Sequence, residues 1–166
     1  MNIDDLRKLN DAVKDLLKQE SFRENLEQLK REVSDTSESF VWSTVDLNSI
    51  NSELPGEIKS CWTFVLKKNV PSGCHYHPNS IQHMIMIEGQ GESKVADIRK
   101  RMIGFGSNDH SLDETWYVIP EGVPHEFFPE LTDMVVVSFH TCEARELQEI
   151  GCETGETRLY EPLAES

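Results

Sequence analysis

Two stretches near the N-terminus have the hydrophobic spacing of amphipathic helices. In residues 3–20, apolar side chains recur every three or four positions and charged side chains fill the positions between them. The apolar residues of the second stretch are Phe22, Leu26, Leu29 and Val33. Ser21 and Glu24 have capping-box spacing, which predicts that the second helix starts at Phe22. We expect residues 1–38 to form a helical extension and a linker, packed on the main body or on a second subunit.

The pattern changes after the polar run at residues 34–39. Short runs of β-branched and aromatic residues now alternate with Gly, Pro and Asn, at the spacing of strands joined by turns. This texture predicts a mainly β domain, an all-β sandwich or barrel, over residues 39–142. Residues 143–166 are predicted to pack on it as a short helix at 143–151 and a tail that includes one edge strand.

Composition and charge narrow the function classes. The 166 residues contain 16 Lys and Arg against 30 Asp and Glu, a net charge of −14. Such a chain lacks the basic surface that binding to nucleic acid or to an anionic membrane requires. No run approaches the ~20 apolar residues of a membrane span, and the charged N-terminus does not resemble a signal peptide. We therefore expect a cytoplasmic protein whose four scattered cysteines, with no CxxC spacing, are thiols.

The candidate chemistry is concentrated in three histidines. His75 and His77 are two positions apart, so on a strand both imidazoles point to the same face and can converge on one metal ion. His125 follows a second strand pattern and a turn that contains Pro120 and Gly122. An HxH pair alone is weak evidence, but the ordered combination of both patterns is specific.

Together these residues resemble the two sequence motifs of the cupin superfamily, G…HxH…E…G followed by PxGxxH. The residues that carry the resemblance are Gly73, His75, His77, Gly89, Pro120, Gly122 and His125. The resemblance covers residues 60–140. It implies an antiparallel jelly-roll β-barrel in which the three histidines bind one divalent metal ion. Three imidazole ligands would leave coordination positions open for substrate or water.

One position departs from the cupin pattern. Where the family places a Glu, seven residues before Gly89, this chain has Gln82. Glutamine is neutral and a weaker ligand than a carboxylate, so Gln82 is a fourth ligand or lies in the second shell. A metal ion held by neutral ligands keeps its full charge and attracts anionic or enolate-like substrates. A decayed site that binds metal poorly is the alternative.

Further candidates lie on the neighbouring strands. His140 ends a predicted strand whose register the sequence does not fix; if it faces the interior, it is placed to act as a proton shuttle near the metal. We also predict a substrate pocket, for which ordinary barrel core is the competing interpretation. The predicted pocket residues are Trp62, Phe64, Met84, Met86 and Phe127.

The sequence therefore predicts a metal-dependent cupin enzyme. Cupins without the Glu ligand include three-histidine non-haem iron dioxygenases that act on thiols, diketones and phenolic acids, so the resemblance implies an activity of this kind. We favour such a dioxygenase, with Fe²⁺ and a small anionic organic substrate. Zn, Mn, Ni and Cu stay open because imidazole binds several metals. The alternatives are a non-catalytic sensor or storage cupin that binds a metal or a small molecule, and a metal-assisted lyase or isomerase.

A homodimer is also predicted. Open sheet edges and the apolar stripes of the N-terminal helices would need to be covered. The resemblance points the same way, since cupins are commonly dimeric.

Overall fold

The computed structural model describes residues 1–160, and two helices come first. Helix α1 spans Ile3–Lys18 and helix α2 spans Glu20–Asp35. The predicted capping box is wrong, because α2 starts before Ser21 and its N-cap, Gln19, makes no side-chain cap bond. At the break between the helices, the Gln19 side-chain amide donates to Asp15 and to the Ser49 carbonyl.

Two antiparallel sheets form the body of the protein. The strands are β1 Phe40–Val45, β2 Ser60–Leu66, β3 His75–Tyr76, β4 Gln82–Glu88, β5 Gly91–Val95, β6 Ile98–Arg101, β7 Tyr117–Ile119, β8 His125–Pro129, β9 Met134–His140, β10 Gln148–Gly151 and β11 Thr157–Leu159. A short helix, α3 (Leu112–Thr115), precedes β7. The sheet orders are β1-β2-β9-β4-β7 and β11-β10-β3-β8-β5-β6. This architecture confirms the predicted antiparallel β fold with an N-terminal helical extension.

The five-stranded sheet is covered on both faces. Its inward residues, such as Trp62, Met84 and Val136, pack in one core with Phe127 of the other sheet. Its outward residues pack against the helices, as Ile85 does in the cluster that contains α1. Every residue of β2 and of β9 is consequently buried. The apolar stripes of α1 and α2 are thus covered within one chain.

The end of the described chain forms strands where a helix was predicted. Residues 143–151 contain one 3-10 turn, Ala144–Glu146, followed by β10, so the predicted helix is wrong. Pairing of β10 with β3 and β11 provides the reason, because these tertiary contacts override the local helical pattern. Strand β11 is the edge strand that the sequence predicted. Residues 161–166 of the predicted tail lie outside the described residues.

A disulfide joins this C-terminal segment to β3. Cys74 and Cys152 are bonded, which corrects the prediction of four thiols; Cys61 and Cys142 are free and buried. The sheet register explains the pairing. Gly151 lies opposite His75, so in an antiparallel pair the next residue, Cys152, comes beside Cys74. The Cys152 amide also donates to the Cys74 carbonyl.

Within residues 1–160, no helix combines the length and apolar character needed to cross a membrane.

Candidate metal centre

Pairing between β3 and β8 brings the three motif histidines together. His75 lies directly opposite His125 in the sheet, and His77 follows just after β3. The ring centroids are 4.4 Å apart for His75 and His125, and 5.3 Å apart for each of the other two pairs. One nitrogen from each ring lies within 4.8 Å of the others. The rings therefore converge closely enough to share one metal ion.

The outer nitrogen of each ring is held by a backbone carbonyl. The three contacts are His75 Nδ1 to Gly73 O at 3.1 Å, His77 Nδ1 to Gln148 O at 2.8 Å and His125 Nδ1 to Val123 O at 2.9 Å. A carbonyl can only accept a hydrogen bond, so each Nδ1 must carry the proton. Each Nε2 is then unprotonated and has a free lone pair. This is the tautomer in which a histidine binds a metal ion through Nε2.

Burial keeps these imidazoles neutral. It lowers the pKa of His75 to about 3, with repulsion from His77 as the next cause. Burial likewise lowers the pKa of His77 and takes that of His125 well below its ordinary value. His125 Nε2 is buried and, among the described residues, has no hydrogen-bond partner. A divalent ion would provide the missing partner, so the donor set fits a metal ion.

Gln82 lies on the inner face of β4, beside this cluster. Its Nε2 donates to Ser138 Oγ at 2.8 Å, while its Oε1 finds no partner within residues 1–160. Gln82 lines the same cavity as His75 and His77. The free amide oxygen and this position are compatible with either role predicted for it.

The register of β9 turns His140 towards the interior. His140 pairs with Gln82 across the sheet, and its ring lies 5.1 Å from that of His77. Its Nδ1 is 2.8 Å from Ser80 Oγ, and its Nε2 has no partner in the described part of the chain. Complete burial takes the pKa of His140 well below its ordinary value. His140 is therefore a neutral imidazole behind His77.

A small, mostly apolar cavity of about 30 Å³ adjoins the histidines. The residues around it are Phe40, Phe64, Leu66, Ser72, His75, His77, Gln82, Phe127, Val136 and Tyr160. Of the predicted pocket residues, Phe64 and Phe127 are on its wall. Trp62, Met84 and Met86 also face inward but lie in the packed core next to it.

Tyr160 and Glu149, beside the histidine cluster, were not predicted from the sequence. Tyr160 lines the cavity, and its hydroxyl donates to Glu149 Oε1 at 2.6 Å. Burial and the adjacent carboxylate raise the pKa of Tyr160 well above its ordinary value, so it stays a donor. Glu149 belongs to the segment predicted as a short helix, and Tyr160 belongs to the predicted tail. The only available signal was strand-like alternation, in which Leu147 and Glu149 are both buried.

Known structures resemble this fold at low sequence identity. No protein-family model matches the chain, and no curated protein matches it. A variant of salicylate 1,2-dioxygenase from Pseudoaminobacter salicylatoxidans matches with a TM-score of 0.58 at 13% identity, covering 82% of this chain and 39% of its own. The chain has the cupin fold.

Two further structures illustrate the range of matches. A gentisate adduct of the same dioxygenase has a TM-score of 0.54 at 12% identity, covering 74% of this chain and 32% of that one. Recombinant oxalate oxidase in complex with glycolate has a TM-score of 0.47 at 14% identity, covering 65% and 53%. The chain thus spans from about a third to about half of these cupins, and the likeness concerns the fold.

Proposed function

We propose that this cupin is a three-histidine non-haem iron dioxygenase that acts on a small anionic organic substrate. The observation that carries the proposal is the set of three neutral imidazoles whose Nδ1 atoms are tied to carbonyls and whose Nε2 lone pairs are free. A structurally similar cupin is a dioxygenase, which supports an oxidoreductase.

The histidines would hold the ion, and Gln82 would leave its charge undiminished. A bound Fe²⁺ ion would supply the redox chemistry that reaction with dioxygen requires. Because Gln82 adds no negative charge, the site favours an anionic group such as a carboxylate, enolate or thiolate. These residues therefore bind and orient the anionic end of the substrate.

The cavity wall determines the size and polarity of the rest of the substrate. Phe40, Phe64 and Phe127 exclude water and favour a compact apolar body. Behind His77, we assign His140 the role of carrying a proton, because its Nδ1 faces the Ser80 hydroxyl and its other nitrogen is unpaired among the described residues. Phe64 and Phe127 form substrate-pocket wall, with Trp62, Met84 and Met86 supporting it from the core.

Oxygen uptake tests this proposal. Protein purified without added metal is analysed for its metal content, then reconstituted with Fe²⁺ under anaerobic conditions. Salicylate, gentisate, oxalate, glycolate, small thiols and β-diketones are offered with dioxygen. We expect oxygen uptake with at least one compound, and both atoms of ¹⁸O₂ in the product.

Matched variants connect the activity to the site. His77→Ala should lose the metal, whereas His110→Ala, the same change at an exposed histidine, should keep it. A ligand that binds without turnover would favour a sensor or storage cupin. Conversion without oxygen uptake would favour a lyase or isomerase. Failure of the wild-type protein to bind one metal ion per chain would overturn the proposal.

A further inference from the structure

A buried carboxylate lies directly behind the histidine cluster. The residue is Glu149 of β10, with only 7% of its surface exposed. Its Oε1 lies 3.2 Å from His75 Nδ1 and accepts a hydrogen bond of 2.6 Å from the Tyr160 hydroxyl. Its Oε2 lies 3.4 Å from Arg158 Nε. Glu149 thus has contacts with a motif histidine on one side and with two donors on the other.

A carboxylate is buried at such a place only when its charge is compensated. Removing an ionised group from water is costly unless hydrogen bonds and an opposite charge replace the water. Tyr160 supplies a hydrogen bond and Arg158 supplies the opposite charge. Towards the cluster, each of the three motif histidines donates its Nδ1 proton to a backbone carbonyl and Gln82 is an amide, so a divalent ion would be the second positive charge near Glu149.

We propose that Glu149 is a positioning residue of the metal centre, acting through His75. Its charge keeps the proton on His75 Nδ1, together with the Gly73 carbonyl, and directs Nε2 towards the ion. This inference rests on the metal site of the proposed function.

Tyr160 fixes the orientation of Glu149. Its hydroxyl holds Oε1, while its ring packs against Trp42 and Phe64 at centroid distances of 5.1 Å and 5.5 Å. Because Tyr160 also lines the cavity, the substrate would lie against a residue that holds the carboxylate. Tyr160 therefore links the cavity to the Glu149 carboxylate behind the histidines.

Metal affinity tests this role without relying on activity. Glu149→Gln keeps the size of the side chain and an oxygen that can accept from Tyr160, but it removes the charge. We expect Zn²⁺ affinity, measured by competition with a chelator, to fall by about 10- to 100-fold, as for other partners of metal-bound histidines. The absorption bands of the Co²⁺-substituted protein should shift, and Glu149→Asp should recover part of the affinity.

The controls separate this role from simple folding or net charge. Glu143→Gln makes the same charge change at an exposed position of the same segment and should leave Zn²⁺ affinity unchanged. The metal-free Glu149→Gln protein should unfold close to the wild-type temperature. Wild-type Zn²⁺ affinity in Glu149→Gln, or an equal loss in Glu143→Gln, would overturn the inference.

The proposed function can fail separately. Zn²⁺ binding that depends on Glu149, in a protein that consumes no oxygen, would overturn the dioxygenase proposal and leave the positioning role intact. A wild-type protein that binds no metal would overturn both.

Discussion

The protonation state of the individual histidines decides whether this site can bind a metal ion. His75, His77, His125 and His140 are all buried, and burial lowers the pKa of each one. They are therefore neutral near pH 7, as metal binding requires. The folded protein resists their protonation, whereas an unfolded chain does not.

This difference predicts acid sensitivity of the metal-free protein. The pKa of His75 is about 3 when folded and 6.5 in its ordinary state, so between these values the unfolded chain binds more protons. The contribution of His75 to the free energy of unfolding is fully present above about pH 6.5 and is lost as the pH falls from there towards 3. At pH 5, His75 alone should lower the free energy of unfolding by roughly 2 kcal/mol.

Urea unfolding at pH 7.5 and pH 5 measures the effect. His140→Gln should make the pH dependence shallower, whereas His110→Gln, at an exposed histidine, should keep the wild-type dependence. Equal free energies of unfolding at the two pH values would contradict the prediction.

Gln82 offers a second test at the residue scale. Gln82→Glu adds a negative charge beside the ion, so we expect tighter Zn²⁺ binding, because a carboxylate is the better ligand. Binding of glycolate, a small carboxylate, should weaken through repulsion and the loss of an open position. Chelator competition and calorimetry measure the two changes. Gln90→Glu, the same change at an exposed residue, should produce neither; no change in Gln82→Glu would place residue 82 outside the site.

Much of the site could be predicted from local patterns. The HxH pair and the Pro-x-Gly turn point to His75, His77 and His125 because strand alternation depends only on neighbouring residues. The orientation of His140 could not be predicted, since it depends on the register between β9 and β4. Glu149 was missed for a related reason: its contact with His75 depends on the pairing of β10 with β3.

At the scale of elements, the hairpin formed by β10 and β11 completes the candidate metal centre. Strand β10 provides both the Gln148 carbonyl, which holds His77, and the Glu149 carboxylate near His75. The Cys74–Cys152 disulfide ties this hairpin to β3. The helices, in contrast, were predictable as amphipathic elements, but the face they cover was not.

Reducing the disulfide should therefore loosen the hairpin. The two cysteines are separated by 78 positions, and a cross-link of that span restricts the unfolded chain by on the order of 4 kcal/mol. We expect a dithiol reductant to lower the free energy of unfolding by up to this amount, and to weaken Zn²⁺ binding because the acceptors on β10 are less firmly held. Urea unfolding and chelator competition, with and without reductant, measure both effects.

The double variant Cys74→Ser/Cys152→Ser provides the control. It should behave like the reduced wild-type protein and show no further response to the reductant. Unchanged unfolding of the wild-type protein after reduction would contradict the prediction.

At the scale of the whole molecule, a homodimer remains a prediction, but one of the two structural reasons for it no longer applies. The helical stripes are already covered within the chain, so only the sheet edges favour association. Edge strand β6 is exposed along its length, and Ile98 on it is 69% exposed. Light scattering should give twice the 19.0 kDa of one chain.

Substitutions locate the contact. Ile98→Glu should shift the protein towards the monomer, whereas Leu131→Glu, at a residue that is 80% exposed elsewhere, should not. A mass of 19.0 kDa for the wild-type protein at micromolar concentration would contradict the dimer.

The position of β10 along the chain also bears on biosynthesis. All three motif histidines precede Gln148, Glu149 and Tyr160, so they leave the ribosome before the groups that fix them. When His125 has just left the ribosome, Gln148 and Glu149 have not. The nascent chain then lacks the carbonyl that accepts from His77 and the carboxylate beside His75. An ion captured at that moment would be held by poorly oriented rings. Selective metal loading should therefore follow synthesis of the hairpin rather than accompany that of the histidines.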